Sequence, residues 1–236
     1  MNNNFVKKLR IDWENINSDS YLHDIKSIRT NEGIDFNKKI TFFVGENGSG
    51  KSTLLEAIAV NYGFNPEGGS INYNFETENT HSILSDNMIL EKGYRAEDGF
   101  FLRAESFYNL ASYVDSVSLD LSEYGDKSLH KQSHGESFLS LICNRFRGNG
   151  LYILDEPEAA LSPQRQLTLI SKIKELAREG SQFIIVTHSP IILGIDESEI
   201  YSFDNDEISK IDYEDTEAYK ITKLFLHDRD RMIKYL

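Results

Sequence analysis

"FVGENGSGKSTLLEAIA", residues 43–59, decides how this chain is read. Glycines at 45, 48 and 50, a lysine at 51 and hydroxyls at 52 and 53 separate a strand-like run, "KKITFFVG", from a helix-spaced run, "KSTLLEAIAVNYG". Gly45 to Ser52 fits the pattern GxxxxGK[ST]. Glycines let the backbone curl so that successive N–H groups face one point, an anion nest built from Gly45, Asn47, Gly48, Ser49 and Gly50. The helix starting near Gly50 adds the positive end of its dipole. In such a turn Lys51 reaches the outer phosphates and the Ser52 hydroxyl ligates magnesium, with Thr53 as one further hydroxyl. The bland alternative is a plain glycine turn, and the strand before and helix after argue against it.

"GLYILDEPEAALSP" supplies acids at the end of a second apolar strand. Asp155 emerges where it can hold the magnesium water shell, and Glu156 one step on is placed to orient or deprotonate an attacking water. Taken alone, two adjacent acids also read as solvated charge. His188 follows a third apolar strand in "SQFIIVTHSP". A histidine in that position is more often structural, but beside the other two clusters it can bond a γ-phosphate or the attacking water. "KQSHGESFLSLI" reads as a serine-capped helix with Glu136 in its first turn. Its start could instead meet a phosphate, and the sequence leaves both readings open.

Apolar strands alternating with helices imply an α/β fold with a mainly parallel sheet, and ligands sit at the carboxyl ends of such strands. The three polar clusters therefore converge on one edge. The expected organisation is one domain over 1–236. It has an antiparallel N-terminal β part that includes "FVKKLRID", and an inserted arm over about 64–132. A core segment covers 133–203, and a hairpin turning at Asp204–Asp206 with C-terminal helices covers 204–236. "SPQRQLTLISKIKELAREG" carries strong helix signals: Ser162 as cap, Pro163 in the first turn and Gly180 as stop.

Hydrophobic residues at 39% and charged residues at 27% are ordinary soluble globular composition. The single cysteine, Cys143, excludes an internal disulfide, suits a reducing cytoplasm, and reads as a small buried hydrophobe. No apolar run reaches the ~18 residues of a membrane span, so no membrane insertion is expected. A net charge of -13 makes the chain a poor solo binder of nucleic acid. Nucleic acid is thus not indicated by charge, though a local basic patch leaves room for it.

With these stretches in hand, the sequence resembles the ABC-type ATPase superfamily, on its RecF, OLD and structural-maintenance-of-chromosomes side. It looks like stand-alone bacterial ATPases sharing "TFFVGENGSGKSTLLEAIA", "FLRAESFYN", "SHGESFL", "YILDEPEAALSPQRQL" and "QFIIVTHSP". The resemblance covers nearly the whole chain. It implies ATP and Mg2+ as ligands, ATP hydrolysis, and a homodimer formed on ATP binding. "SHGES" would be the signature loop, with Ser133 and Gly135 meeting a γ-phosphate in trans and Glu136 beside them. "AALS" matches a dimer-contacting loop, with Ser162 where an aspartate is common. The glutamine that usually senses magnesium is absent, and Glu105 stands as its candidate with Arg103 nearby. Trp13 and Tyr21 are the candidates for stacking on a base. The implied role is a nucleotide-gated switch for a separate protein, in DNA maintenance or phage defence. The alternatives are a transporter's nucleotide-binding subunit and, less in keeping with the motif order, a small-molecule kinase.

Overall fold

The structure, a computed structural model, describes residues 3–71, 83–104, 107 and 133–234. Ten strands are described, in two sheets. Central are β3 (Ile40–Val44), β6 (Asp98–Arg103), β7 (Gly150–Asp155), β8 (Gln182–Val186) and β9 (Glu199–Ser202). They run parallel in the order β9-β3-β8-β7-β6. β10 (Ser209–Ile211) and β4 (Gly69–Ser70) flank them antiparallel. A smaller antiparallel sheet joins β1 (Val6–Ile11), β2 (Ile34–Asp35) and β5 (Met88–Lys92). The α/β class, the mainly parallel sheet and the antiparallel N-terminal part are as the sequence implies.

Strand period explains why β7 is apolar up to Asp155. Successive side chains point to opposite faces, and both faces are covered. Tyr152 and Leu154 enter one core with Phe42, Phe183 and Ile185. There they meet helices α2 (His134–Arg145) and α3 (Pro163–Arg178). Leu151 and Ile153 enter the other core with Phe43, Ile184 and helix α1 (Lys51–Tyr62). The two sheets are tied by the buried Gln182 amide, whose Oε1 accepts from Phe5 N at 2.8 Å and Val6 N at 2.9 Å. Glu199, 2% exposed, is satisfied by Asn37 N, Lys38 N, Thr41 Oγ1 and the Lys210 ammonium.

Two expectations change. The arm drawn over about 64–132 includes residues that belong to the sheets. β5 pairs with β1, and β6 lies beside β7 in the central sheet. A six-residue strand preceded by turns carries too little periodicity to stand out from its polar surroundings. Cys143 is exposed rather than buried. The buried line Phe138, Leu141 and Ile142 sets the inner face of α2, and the next residue turns outward. The stretch "ESFYNLASYVDSV", residues 105–117, whose apolar spacing is that of a helix, lies outside the described residues apart from Phe107. The hairpin forms where expected, between β9 and β10, and α4 (Glu217–His227) follows it.

Candidate functional site

One rung of the sheet gathers the site. Phe43 pairs with Val186, Val186 with Asp155, and Asp155 with Arg103. The glycine loop, the histidine turn, the acid pair and Arg103 thus stand at one level on four adjacent parallel strands.

From β3 the chain enters the loop at Gly45 with φ 140°, passes Gly48 at φ 82° and reaches Gly50 at φ 94°. Gly50 is required twice over. Its left-handed backbone is strained for residues with a Cβ, and a Cβ there would stand 2.5 Å from Ile25 Cγ2. Ser27 Oγ clamps the loop by donating to Ser49 O at 2.6 Å, and Asp204 Oδ1 accepts from Glu46 N at 3.0 Å. Lys51 is buried, and its ammonium donates to Gly45 O at 2.8 Å and Glu46 O at 2.6 Å. Burial pulls its pKa down, and the negative charges of Glu156, Asp204, Asp155 and Glu46 oppose that shift.

Ser52 Oγ donates to Asp155 Oδ1 at 3.0 Å. Arg103 stands on the other side of the carboxylate, with Nε 3.7 Å from Asp155 Oδ2 and Nη1 2.7 Å from Glu56 Oε2. Glu156 takes a left-handed backbone, φ 50° and ψ 53°, immediately before Pro157. Such strain in a residue with a side chain costs about 1–3 kcal/mol and collects at functional sites. Its Oε1 lies 3.7 Å from His188 Nε2. Behind them Glu158 accepts from Thr187 Oγ1 at 2.8 Å and from His188 N at 2.5 Å, so the acid turn and the histidine turn are stitched together.

A cavity of about 390 Å³ opens beside these groups, lined by Asn47, Gly48, Lys51, Ser52, Thr53 and Glu156 together with Ile25. A larger one, about 720 Å³, lies between the loop and the hairpin. Its lining carries Asp24, Glu46, Asp204, Asp206, Asp215 and Glu217 against Lys26 and Lys220. That balance repels a polyanion, so the smaller, lysine-bearing cavity is the one suited to phosphates.

The donors suit Mg2+. A hydroxyl and a carboxylate are hard oxygen ligands, and this ion takes one or two carboxylates together with phosphate oxygens and water. Among the described residues no three His, Cys, Asp or Glu side chains group as an all-protein cage.

The structure therefore brings together Gly45, Asn47, Gly48, Ser49, Gly50, Lys51, Ser52, Thr53, Asp155, Glu156 and His188. Ser133 and Gly135 lie elsewhere, at the start of α2. Ser133 N donates to Glu136 Oε2 at 3.1 Å, and Arg165 reaches both side chains. The Glu136 carboxyl is held below its usual range by its hydrogen bonds with Ser133 and then by Arg165. Ser162 caps α3 as expected, accepting from Arg165 N. Glu105 lies outside the described residues. Of the two stacking candidates, Trp13 is tilted against His23 with ring centroids 5.4 Å apart, while Tyr21 is exposed. Sequence reasoning missed Ser27, Asp204, Arg165 and the role of Glu158. Only Glu158 carried a signal, as the last acid of "DEPE".

Comparison with known proteins finds that the AAA domain family matches residues 21–218. A putative ABC transporter ATP-binding protein of Pyrococcus furiosus is 27% identical over 180 residues, covering 69% of this chain and 68% of that protein. The hemin import ATP-binding protein HmuV of Idiomarina loihiensis is 25% identical over 191 residues, covering 72% and 73%. Among solved structures, the SMC head domain from Thermotoga maritima aligns with a TM-score of 0.47 at 18% identity, covering 87% of this chain and 98% of that one. Among the described residues no helix is long and apolar enough to cross a membrane.

Proposed function

Because the chain belongs to the AAA domain family, within the ABC-type ATPase superfamily, we propose that ATP closes two copies of it face to face, and that hydrolysis reopens them to drive or regulate a separate protein. The protein is an ATPase that uses ATP with Mg2+. The observation that carries the finer reading is the meeting of Ser52 and Asp155, 3.0 Å apart, beside the cavity that Lys51 and Glu156 line.

In this reading the N–H groups from Gly45 to Thr53 and the Lys51 ammonium bind the β- and γ-phosphates. The ammonium exchanges neutral loop carbonyls for charged oxygens, a stronger set of acceptors. Ser52 and Asp155 would hold Mg2+, which when bound draws off charge developing on the phosphates. Glu156 accepts the proton of the attacking water, and its strained backbone fixes the carboxylate at the cavity mouth. His188 steadies the γ-phosphate or the water, held in place by Glu158. Ser133 and Gly135 of a second copy close the site from the opposite side. Loss of the γ-phosphate removes the charge that both copies share, which biases the pair toward opening.

The partner we place in DNA maintenance or phage defence, on the motif resemblance, and the net charge of -13 favours a basic protein surface over bare nucleic acid. The names of the two relatives favour a second reading, an ATP-binding subunit of a membrane transporter. Purification with Glu156→Gln and ATP separates the two. A client that is an integral membrane protein supports transport, and a water-soluble effector supports the first reading.

A further inference from the structure

The geometry points to Arg165 as a positioning residue that acts, through Ser133, on the triphosphate held by the opposite copy. The inference rests on the ATP-closed pair proposed above and assigns that interface a charged component.

Arg165 lies in the first turn of α3, and its guanidinium forks onto the start of α2. Nη1 donates to Ser133 Oγ at 3.4 Å and Nη2 to Glu136 Oε1 at 3.0 Å. Gly135 leaves the space for this fork. A Cβ on Gly135 would stand 2.5 Å from Ala160 O and 2.7 Å from Arg165 Nη1. The glycine in "SHGES" is therefore needed for close approach, since any larger residue displaces the guanidinium or the Ala160 carbonyl.

The consequence falls on the Ser133 hydroxyl, which has one hydrogen to give and two lone pairs to fill. One lone pair takes the Arg165 donor, and the capping box with Glu136 engages the other side of the group. The Ser133 side chain is thus held in one orientation at the tip of α2, between Arg165 and Glu136, and an anionic oxygen arriving from outside its own subunit is an acceptor that can take its hydrogen over from Glu136. Stability alone does not explain the fork. Arg165 and Glu136 are 34% and 55% exposed, and ion pairs that open to solvent add little to folding. Their use is to fix a donor in advance, and donors fixed before charge develops contribute most to the reaction rate.

The test uses the full chain with Arg165→Gln and Arg165→Lys. Affinity for a fluorescent ATP analogue, measured on single copies, stays at the wild-type value, because Arg165 is not among the residues that line the cavity beside its own glycine loop. The kcat falls about tenfold or more in Arg165→Gln, and Arg165→Lys recovers only part of it, since an ammonium cannot fork. Mixing Arg165→Gln with Lys51→Ala restores hydrolysis, because one site of the mixed pair then has an intact lysine facing an intact arginine. No restoration on mixing, or unchanged kcat in Arg165→Gln, would overturn the inference. Light scattering separates this from failure of the underlying reading. If Glu156→Gln fails to pair with ATP, the closed pair itself is wrong, and Arg165 falls with it. If Glu156→Gln and Glu156→Gln/Arg165→Gln pair equally well and hydrolysis on mixing stays absent, only the Arg165 role is lost.

Discussion

Ser52 and Asp155 stand 103 residues apart in sequence and meet through a 3.0 Å hydrogen bond from Ser52 Oγ to Asp155 Oδ1. Neither end is local in origin. Ser52 is placed by the glycine loop and the first turn of α1, and Asp155 is the last residue of β7. Only the parallel register through β8 brings them level, which makes this contact the point where fold becomes chemistry.

Asp155→Asn keeps the shape and removes the charge. Wild-type protein should bind ATP several-fold more tightly with Mg2+ than with the ion chelated, and the variant should lose that difference. Its phosphate release should fall about 100-fold, in line with the several kcal/mol that metal-ion stabilisation supplies. Isothermal titration with and without Mg2+ checks the first, and a steady-state assay the second. A variant that keeps its Mg2+ dependence would remove Asp155 from the metal's ligands.

Gly50→Ala should fail in two ways. Its φ of 94° strains any residue with a Cβ, and the new methyl meets Ile25 and Ile28. About 2 kcal/mol of stability should go, lowering Tm by roughly 4–8 °C. ATP binding should be lost because the loop can no longer hold its N–H groups on one point. Calorimetry and the fluorescent analogue give both numbers, and wild-type affinity would contradict the nest.

Much of this was legible because it is local. The glycine turn, the acid pair and the histidine turn each lie within a few residues of a strand end, and strand ends in a parallel sheet share an edge. What stayed hidden was long-range. β6 could not be told from an arm because its partner, β7, begins some fifty residues later. Asp204 reaches Glu46 N from the hairpin, and Arg165 reaches Ser133 from the next helix. No spacing rule announces such pairs. Cys143 was misjudged because residue type suggests burial, whereas the helical phase of Phe138, Leu141 and Ile142 decides it.

Glu199→Ala tests the fold apart from the chemistry. The buried carboxylate accepts from Asn37 N, Lys38 N and Thr41 Oγ1 and pairs with Lys210, so its loss leaves several donors unmet. The expected cost is about 3 kcal/mol, or a Tm lower by roughly 6–12 °C. ATP affinity below that temperature should hold. A change within 1 °C would show that the hairpin is anchored by other contacts.

The most direct measurement is the mass of Glu156→Gln by light scattering, with ATP and Mg2+ against ADP and Mg2+. Closure on the triphosphate predicts twice the 27.1 kDa of one copy with ATP, a single copy with ADP, and hydrolysis slowed about a thousandfold. One copy in both nucleotides, or hydrolysis at the wild-type rate, would contradict it.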